Sequence, residues 1–406
     1  MRLKGSLLTF IFFFCFSSFS QNKLKLKTGK WTGVLQLTSS DQLPFEVEIK
    51  GKKDDISIHV INGEERIVLD KITFSNDSLL IPFPNFNSRL VLHKNSKKQL
   101  KGYWQNLNKT AYRIPLDLVY GYTTRFKPLK NESNQLASKY EITFNPQSDD
   151  AYKSVGLFNS NGNRVYGTFL TETGDYRFLD GNRSDDSLYL SCFDGSHAFL
   201  FKANVFSDSI SGEFLSGKHW KGKWNGRINS AFELTHPDSL TYVVKETPFT
   251  FSLTDLNGSP FTFPNSQFEN KVTIIQIMGT WCPNCMDETR YLRDLYARYH
   301  DQGLEIISIG YEVGQTFEEH ADKIRKLQER YELPFTFLVG GAANKGLASE
   351  HFAMLNKIIS FPTSIFIAKD GTVRKVHTGF NGPGTGSYYT EFIKETDLFL
   401  RSLLNE

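Results

Sequence analysis

The spacing of apolar residues in the first half of the chain limits its fold more than any other feature. From Lys30 to about Leu234, apolar and polar residues alternate in short runs, as in Phe45-Glu46-Val47-Glu48-Ile49. This period of two is typical of half-buried β-strands. Turn pairs such as Asn62-Gly63 and Asp194-Gly195 separate the runs, and no long stretch has helical spacing. We therefore predict an all-β, antiparallel N-terminal region.

The β-rich half also resembles itself at one constant spacing along the chain. Asn76-Asp77-Ser78-Leu79 matches Asp185-Asp186-Ser187-Leu188, and at the same spacing Lys30-Trp31 falls on Lys139-Tyr140. Colinear matches of this kind indicate an internal duplication. We predict two similar antiparallel lobes, built as barrels or sandwiches, over residues 21–120 and 121–240. No residue in this half carries visible chemistry.

The pattern changes between His236 and Pro248, and we predict a third domain over residues 241–406. Strand-like apolar runs and segments of helical spacing now alternate. The predicted elements are the strand Val272–Ile277, the helix Pro283–Tyr299, the strand Leu304–Ile309, the helix Phe317–Tyr331, the strand Phe335–Val339, a hairpin around Lys369-Asp370-Gly371, and a last helix ending near Leu404. This order predicts an α/β domain with a largely parallel sheet covered on both faces.

The first twenty residues have the composition of a secretory signal peptide. Arg2 and Lys4 precede an apolar run, Leu7–Phe16, and Ser17-Ser18-Phe19-Ser20 follows it, with serines at the two small positions of a cleavage site. We expect cleavage there and an exported protein of the periplasm or cell envelope. Lipid anchoring is not favoured, because the bulky Phe14 precedes Cys15. No later run reaches the roughly 20 apolar residues of a spanning helix.

The charge of the chain gives no reason to expect a nucleic-acid partner. Lys and Arg number 47 and Asp and Glu number 44, so the formal net charge is +3 at pH 7. Nucleic-acid binding depends largely on basic surfaces that neutralise phosphates. A nearly neutral chain lacks that electrostatic signal.

Chemistry is predicted at Trp281-Cys282-Pro283-Asn284-Cys285, where a buried strand gives way to a helix. Pro283 suits the first helical position, which places Cys282 at the N-cap. The backbone N–H of residue 285 and the helix dipole both favour a thiolate there, so Cys282 is the predicted nucleophile. One helical turn brings Cys285 within disulfide range, as the thiol that resolves a mixed disulfide.

A zinc half-site and a structural disulfide are the two alternatives for this cysteine pair. Zinc would need two further ligands, and the sequence has no second Cys-x-x-Cys and no paired histidine spacing. A purely structural bridge gains nothing from its place between strand and helix. The pair is therefore predicted to be a redox-active disulfide that works without a cofactor.

The C-terminal part resembles the thioredoxin superfamily, and most closely its exported TlpA/ResA-like branch. The resemblance extends from Pro248 to about Leu404. It is carried by Pro248–Gly258, Trp281–Cys285, Glu288, Phe361-Pro362-Thr363 and Lys369-Asp370-Gly371. It implies thiol–disulfide oxidoreductase activity on protein thiols and disulfides, with electrons from an unidentified donor. It does not extend to the β-rich half.

The resemblance also implies roles for residues around the cysteines. Pro362 matches the cis-proline that lies beside the disulfide, and Trp281 and Phe361 flank the implied substrate-binding site. Glu288 matches an acidic residue that tunes the thiols. An ordinary trans proline and an ordinary first-turn acid are the alternatives. One departure is Gln276, which stands where thioredoxins have a buried aspartate.

The sequence therefore predicts an exported thiol–disulfide oxidoreductase with Cys282 and Cys285 as catalytic residues, reducing protein disulfides. The alternative is a β-rich binding or scaffold protein in which the thioredoxin fold is not used catalytically. A peroxidase of the peroxiredoxin kind is disfavoured, because Gly279 occupies the position of the threonine that such a site requires.

Overall fold

The computed structural model describes residues 26–406 except 53–54, 76–77, 123, 127–135, 185 and 246–247. The predicted signal peptide, residues 1–20, lies outside the described residues, as do Asn76, Asp77 and Asp185 of the repeated turn. In the described part of the chain, three β-sheets follow one another along the sequence.

The first sheet, here called lobe 1, is an antiparallel meander. Its described strands are β1 (Gly29–Gln36), β2 (Gln42–Lys52), β3 (Asp55–Asn62), β4 (Glu65–Leu69), β5 (Thr73–Ser75), β6 (Ser78–Pro82), β7 (Ser88–Ser96), β8 (Gln99–Asn106) and β9 (Arg113–Tyr120). The first strand pairs with the last, which gives the order β4-β3-β2-β1-β9-β8-β7-β6-β5.

The second sheet, here called lobe 2, repeats this plan and closes into a barrel. Its described strands are β10 (Lys139–Phe144), β11 (Tyr152–Asn161), β12 (Arg164–Thr171), β13 (Gly174–Asp175), β14 (Leu179–Ser184), β15 (Ser187–Phe193), β16 (Ala198–Val205), β17 (Ser209–Ser216) and β18 (Trp220–Ile228). β10 pairs with β18, and β11 pairs with β12, which closes the ring of strands and leaves only the short β13 outside it.

Strand registers in the two lobes repeat at the same spacing as the sequence matches. Lys30 pairs with Glu48 between β1 and β2, and Lys139 pairs with Leu157 between β10 and β11. The pairs between β2 and β3, between β3 and β4, and between β5 and β6 recur in the same way in lobe 2. Such shared registers are what an internal duplication predicts.

The third sheet belongs to an α/β domain, in which helices accompany the strands. Its described elements are β19 (Phe251–Asp255), β20 (Pro260–Phe263), β21 (Val272–Met278), α1 (Pro283–Tyr299), β22 (Leu304–Glu312), α2 (Phe317–Tyr331), β23 (Thr336–Ala342), α3 (Lys345–His351), β24 (Thr363–Ile367), β25 (Val373–Thr378) and α4 (Ser387–Asn405). The strand order is β20-β19-β23-β22-β21-β24-β25.

The prediction of a largely parallel sheet is wrong. Among the described strands only the pairs β21–β22 and β22–β23, which are joined through helices, are parallel, and the other four neighbouring pairs are antiparallel. Tight turns such as the one at Gly371 link neighbouring strands at both edges, and a two-residue turn can join only antiparallel strands. The segment between β23 and β24 contains α3.

Aromatic side chains fill the core of lobe 2 and extend into lobe 1. Phe201 stacks on Phe214 with ring centroids 4.3 Å apart, and on Phe169 at 4.7 Å. The side chain of Phe193 in β15 packs against Phe45 and Trp104 of lobe 1 instead of the lobe 2 core. The two lobes therefore share apolar contacts rather than only a linker.

Replacing Phe201 with alanine tests this core. Phe201 is 1% exposed, whereas Phe206 of the same lobe is 55% exposed. We expect Phe201→Ala to lower the free energy of unfolding by about 3–5 kcal/mol, since it leaves a cavity between stacked rings. Phe206→Ala, the control, should cost about 0.5 kcal/mol or less. Urea unfolding of both variants measures the difference, and equal losses would contradict the assigned core.

Candidate functional site

The cysteine pair lies where β21 ends and α1 begins. All the residues of β21 are buried, and Pro283 is the first residue of α1. Cys282 is the N-cap, with the extended backbone angles φ −99° and ψ 115°. Its Sγ accepts a hydrogen bond from the backbone N–H of Cys285 over 3.4 Å. The local structure is the one predicted from proline at the first helical position.

The two cysteines are free thiols in different environments. Cys282 is 8% exposed, and Cys285 is fully buried. The Cys282 thiol donates to the carbonyl oxygen of Phe361 over 3.5 Å. Burial raises the pKa of the Cys285 thiol well above its ordinary value, and the neighbouring Cys282 raises it further. Of the pair, Cys282 is the sulfur that another molecule can reach.

The three residues assigned to substrate binding by resemblance surround Cys282. The Phe361–Pro362 peptide bond is cis, the isomer implied for Pro362. The ring of Phe361 stacks on Tyr311 at 5.5 Å and meets Trp281 edge-on at 6.0 Å. The indole N–H of Trp281 donates to the carbonyl oxygen of Tyr311 over 2.9 Å. These contacts hold an aromatic wall on one side of the nucleophile.

Glu288 lies one helical turn beyond Cys285 in a buried polar network. Its carboxylate accepts hydrogen bonds from Gln276 Nε2 over 2.8 Å and from Ser364 Oγ over 2.9 Å. Burial raises its pKa to about 7, although both hydrogen bonds favour the charged form. Gln276 also accepts from Ser308 over 2.6 Å and contacts Thr289. Gln276 thus holds the carboxyl group of Glu288, a residue of α1, in place by a hydrogen bond.

A second buried carboxyl group, that of Glu312, lies on the other side of the motif. It accepts hydrogen bonds from the backbone N–H of Thr280 over 2.7 Å and from its hydroxyl over 2.6 Å. Burial raises the pKa of Glu312 to about 7. Because Thr280 directly precedes Trp281, this carboxyl group fixes the loop that leads into the cysteine pair. The sequence reasoning missed this residue.

Lobe 2 contributes directly to the site, contrary to the expectation that the β-rich half carries no visible chemistry. Asp175 accepts a hydrogen bond from the side-chain amide of Asn284 over 3.1 Å and from the backbone N–H of Gly382 over 2.7 Å. Asn284 stands between the two cysteines. Asp175 lies in a different domain and far from it along the chain, so no local signal could have predicted the contact.

Arg177 of lobe 2 forms a buried ion pair with α1. Its guanidinium donates to Asp287, two residues beyond Cys285, and to Glu65 of lobe 1 over 2.8 Å. Asp194 of lobe 2 lies 3.6 Å from its Nε. Burial lowers the pKa of Arg177, but the surrounding carboxylates more than compensate and hold it well above its ordinary value. The cation therefore stays charged and joins three parts of the chain.

Within the described residues, the structure contains neither a cluster of metal ligands nor a membrane-spanning helix. No group of three or more His, Cys, Asp or Glu side chains there is arranged to hold a metal ion. No helix in that part of the chain is long and apolar enough to cross a membrane.

Comparison with known proteins places the C-terminal part among redox proteins. Residues 244–391 match the Redoxin family. The thiol-disulfide oxidoreductase ResA of Bacillus thuringiensis subsp. konkukian is 29% identical over 153 residues, which cover 37% of this chain and 76% of that protein. ResA of Halalkalibacterium halodurans is 31% identical over 129 residues, which cover 32% and 65%. These matches confirm the resemblance for the C-terminal part.

Solved structures also align with about two fifths of the chain. A putative thioredoxin from Neisseria meningitidis is 22% identical, with a TM-score of 0.29, and the match covers 37% of this chain and 88% of that one. A putative protein disulfide isomerase from Bacteroides thetaiotaomicron is 14% identical, with a TM-score of 0.30, covering 42% and 96%.

The raised pKa of Glu288 predicts a pH-dependent stability. Its pKa rises from 4.5 to about 7 in the folded chain, so the folded chain keeps this proton when the unfolded chain has lost it. Stability should therefore fall by about 3 kcal/mol, relative to Glu288→Gln, as the pH rises from 4.5 to 7, and the difference should stay constant above 7. Urea unfolding at several pH values measures it.

Thr289→Val is the control for this experiment, because Thr289 contacts the same Gln276 side chain and does not titrate. Its cost, about 1 kcal/mol, should be the same at every pH. A Glu288→Gln difference that does not change with pH would contradict the raised pKa.

Proposed function

We propose that the protein reduces disulfide bonds of other proteins outside the cytoplasm, because its C-terminal part matches the Redoxin family and is similar to the thiol-disulfide oxidoreductase ResA. The observation that carries this proposal is the cysteine pair at the start of α1. There Cys282 Sγ accepts the N–H of Cys285 and lies beside the cis-proline loop. Export is supported by the signal-like composition of residues 1–20.

In the first step, the Cys282 thiolate attacks one sulfur of the substrate disulfide. A bond forms between Cys282 Sγ and that sulfur, and the substrate S–S bond breaks, which releases the other substrate sulfur as a thiolate. The attacking sulfur lies at the start of α1, where it accepts the backbone N–H of Cys285. The carbonyl of Phe361 and the rings of Trp281 and Phe361 form the surface against which the substrate chain lies.

In the second step, Cys285 attacks Cys282 Sγ and releases the substrate as a dithiol. Because burial raises the pKa of Cys285, its proton must pass to a base before the sulfur can attack. Glu288 is one turn away, and its pKa of about 7 suits a group that accepts and returns a proton near neutrality. The substrate gains two electrons, and Cys282 and Cys285 become a disulfide.

A dithiol donor then reduces the Cys282–Cys285 disulfide by the same exchange in reverse. The donor is an external protein or small thiol, and two electrons return to the pair. The β-rich lobes supply no sulfur to this exchange. Their cysteine, Cys192, is buried in lobe 2, and burial raises its pKa.

Cysteine variants test the assignment of roles. Cys282→Ser should abolish dithiothreitol-coupled reduction of insulin, since the nucleophile is lost. Cys285→Ser should stop after the first step and retain the substrate as a mixed disulfide visible by mass spectrometry. Cys192→Ala, the matched control, should keep the wild-type rate. Equal rates for Cys282→Ser and wild type would leave the β-rich binding or scaffold protein as the better explanation.

The reduction potential tests the direction of electron flow. For a protein reductase we expect a value near that of thioredoxin, about −270 mV. Tryptophan fluorescence of the chain over residues 21–406, equilibrated with dithiothreitol or glutathione buffers, should report it, because Trp281 adjoins the pair. A value near about −120 mV, that of a disulfide donor such as DsbA, would reverse the proposed direction.

A further inference from the structure

A turn of lobe 2 lies against the redox site, and it is here called the cap turn (residues 172–177). The carbonyl oxygen of Thr173 accepts a hydrogen bond from Ser360 Oγ over 3.1 Å, directly before the Phe361–Pro362 bond. A Cβ placed on Gly174 would lie 2.7 Å from the side-chain nitrogen of Asn284, and one on Gly379 would lie 2.9 Å from the backbone of Thr173. The cap turn thus approaches the site closely from two sides.

Asp175 fastens the cap turn to the residues around the cysteines. Its Oδ2 accepts from Asn284 and Gly382, and its Oδ1 accepts from the backbone N–H of Arg177 over 2.7 Å. Asn284 is buried, and the second acceptor of its amide is the carbonyl oxygen of Phe380 over 2.9 Å. The polar side chain between the two cysteines is therefore occupied by contacts within the chain.

Arg177 closes the other end of the cap turn. It pairs with Asp287 of α1 and with Glu65 of lobe 1, so the cap turn is held between α1 and lobe 1. Beside it, the hydroxyl of Ser196 in lobe 2 lies 3.5 Å from the carbonyl oxygen of Trp281. Contacts from lobe 2 therefore reach Trp281, Asn284 and Asp287, which flank or separate the cysteines.

We propose that the cap turn is an autoinhibitory element, an inference that rests on the thiol–disulfide exchange proposed above. A protein that brings a sulfur to Cys282 must place its backbone beside Ser360 and Phe361, because the Phe361 carbonyl is 3.5 Å from Cys282 Sγ. Thr173 occupies the space next to Ser360. A protein disulfide therefore reaches Cys282 after the cap turn has withdrawn.

The contacts of the cap turn are of a kind that can be broken and remade. They are hydrogen bonds and ion pairs, which exchange for bonds with water when the interface opens, so each contributes little net free energy. Opening exposes Arg177, Asp287 and Glu65 together and leaves none of them buried without its partner. Removing Arg177 from the closed form is different, because it leaves Glu65 buried without its cation.

Alkylation of Cys282 by iodoacetamide measures the opening directly. In the chain over residues 21–406 with Cys285→Ser, Cys192 and Cys282 are the remaining cysteines, and they fall on different tryptic peptides. The reaction rate of a protected thiol follows the population of the open form. Three variants of this chain are compared: Arg177→Met, Asp175→Ala and Arg227→Gln. The last removes the exposed cation of a lobe 2 ion pair, that of Arg227 with the buried Glu141, outside the cap turn.

We expect Arg177→Met to raise the alkylation rate of Cys282 about a hundredfold, because the carboxylates around it lose their cation. Asp175→Ala should raise the rate about tenfold through the loss of two hydrogen bonds. Arg227→Gln should leave the rate unchanged. Cys192, buried in the barrel of lobe 2, should stay protected in all three variants.

Two results would overturn the cap. Equal Cys282 rates in all variants would mean that the thiol is reached without any opening. Parallel rises for Cys192 and Cys282 would mean that lobe 2 unfolds rather than withdraws. Alkylation does not require catalytic turnover. These rates therefore test the autoinhibitory cap turn even if the protein does not reduce insulin and the proposed function is wrong.

Discussion

The buried guanidinium of Arg177 connects the two β-rich lobes to helix α1 of the α/β domain. Arg177 lies in lobe 2, donates to Glu65 of lobe 1 and pairs with Asp287 of α1. Buried ion pairs add little to stability when compared with apolar packing, but removing one member is costly. Two of the carboxylates have further partners, since Asp287 also pairs with Arg290 and Asp194 accepts a hydrogen bond from the backbone N–H of His197. The cluster therefore fixes how the lobes face the cysteine pair more than how tightly the chain folds.

The same exclusion of water shapes the chemistry of the cysteine pair. Burial raises the pKa of Cys285 and brings the pKa of Glu288 to about 7, so the resolving thiol and its neighbouring acid titrate far from their ordinary values. Cys282 escapes full burial because it is an N-cap, outside the helix proper. Cys282 is thus the partly exposed sulfur of the pair, whereas Cys285 is fully buried and reacts only after a base takes its proton.

Local signals predicted the part of the site that is continuous in sequence. Proline at the first position of α1 and the apolar spacing behind it gave both ends of that helix, Pro283–Tyr299, as the structure has them. The cis bond before Pro362 was implied by resemblance. The antiparallel edges of the sheet, Glu312 and Asp175 were not predicted, because they depend on which distant segments meet. A hydrogen bond between Asp175 and Asn284 leaves no periodic pattern in either segment.

The repeated registers show that equivalent hairpins of the two lobes lie beside α1. Asn62 pairs with Glu65 in lobe 1, and Thr171 pairs with Gly174 at the equivalent place in lobe 2. The two hairpins that meet beside α1 are therefore the same hairpin of the two lobes. The lobe 1 hairpin has Glu65 at the position where the lobe 2 hairpin has Gly174. The lobe 2 hairpin then continues with Asp175 and Arg177. Because glycine lacks a Cβ, the second hairpin alone can approach Asn284 closely enough to cover it.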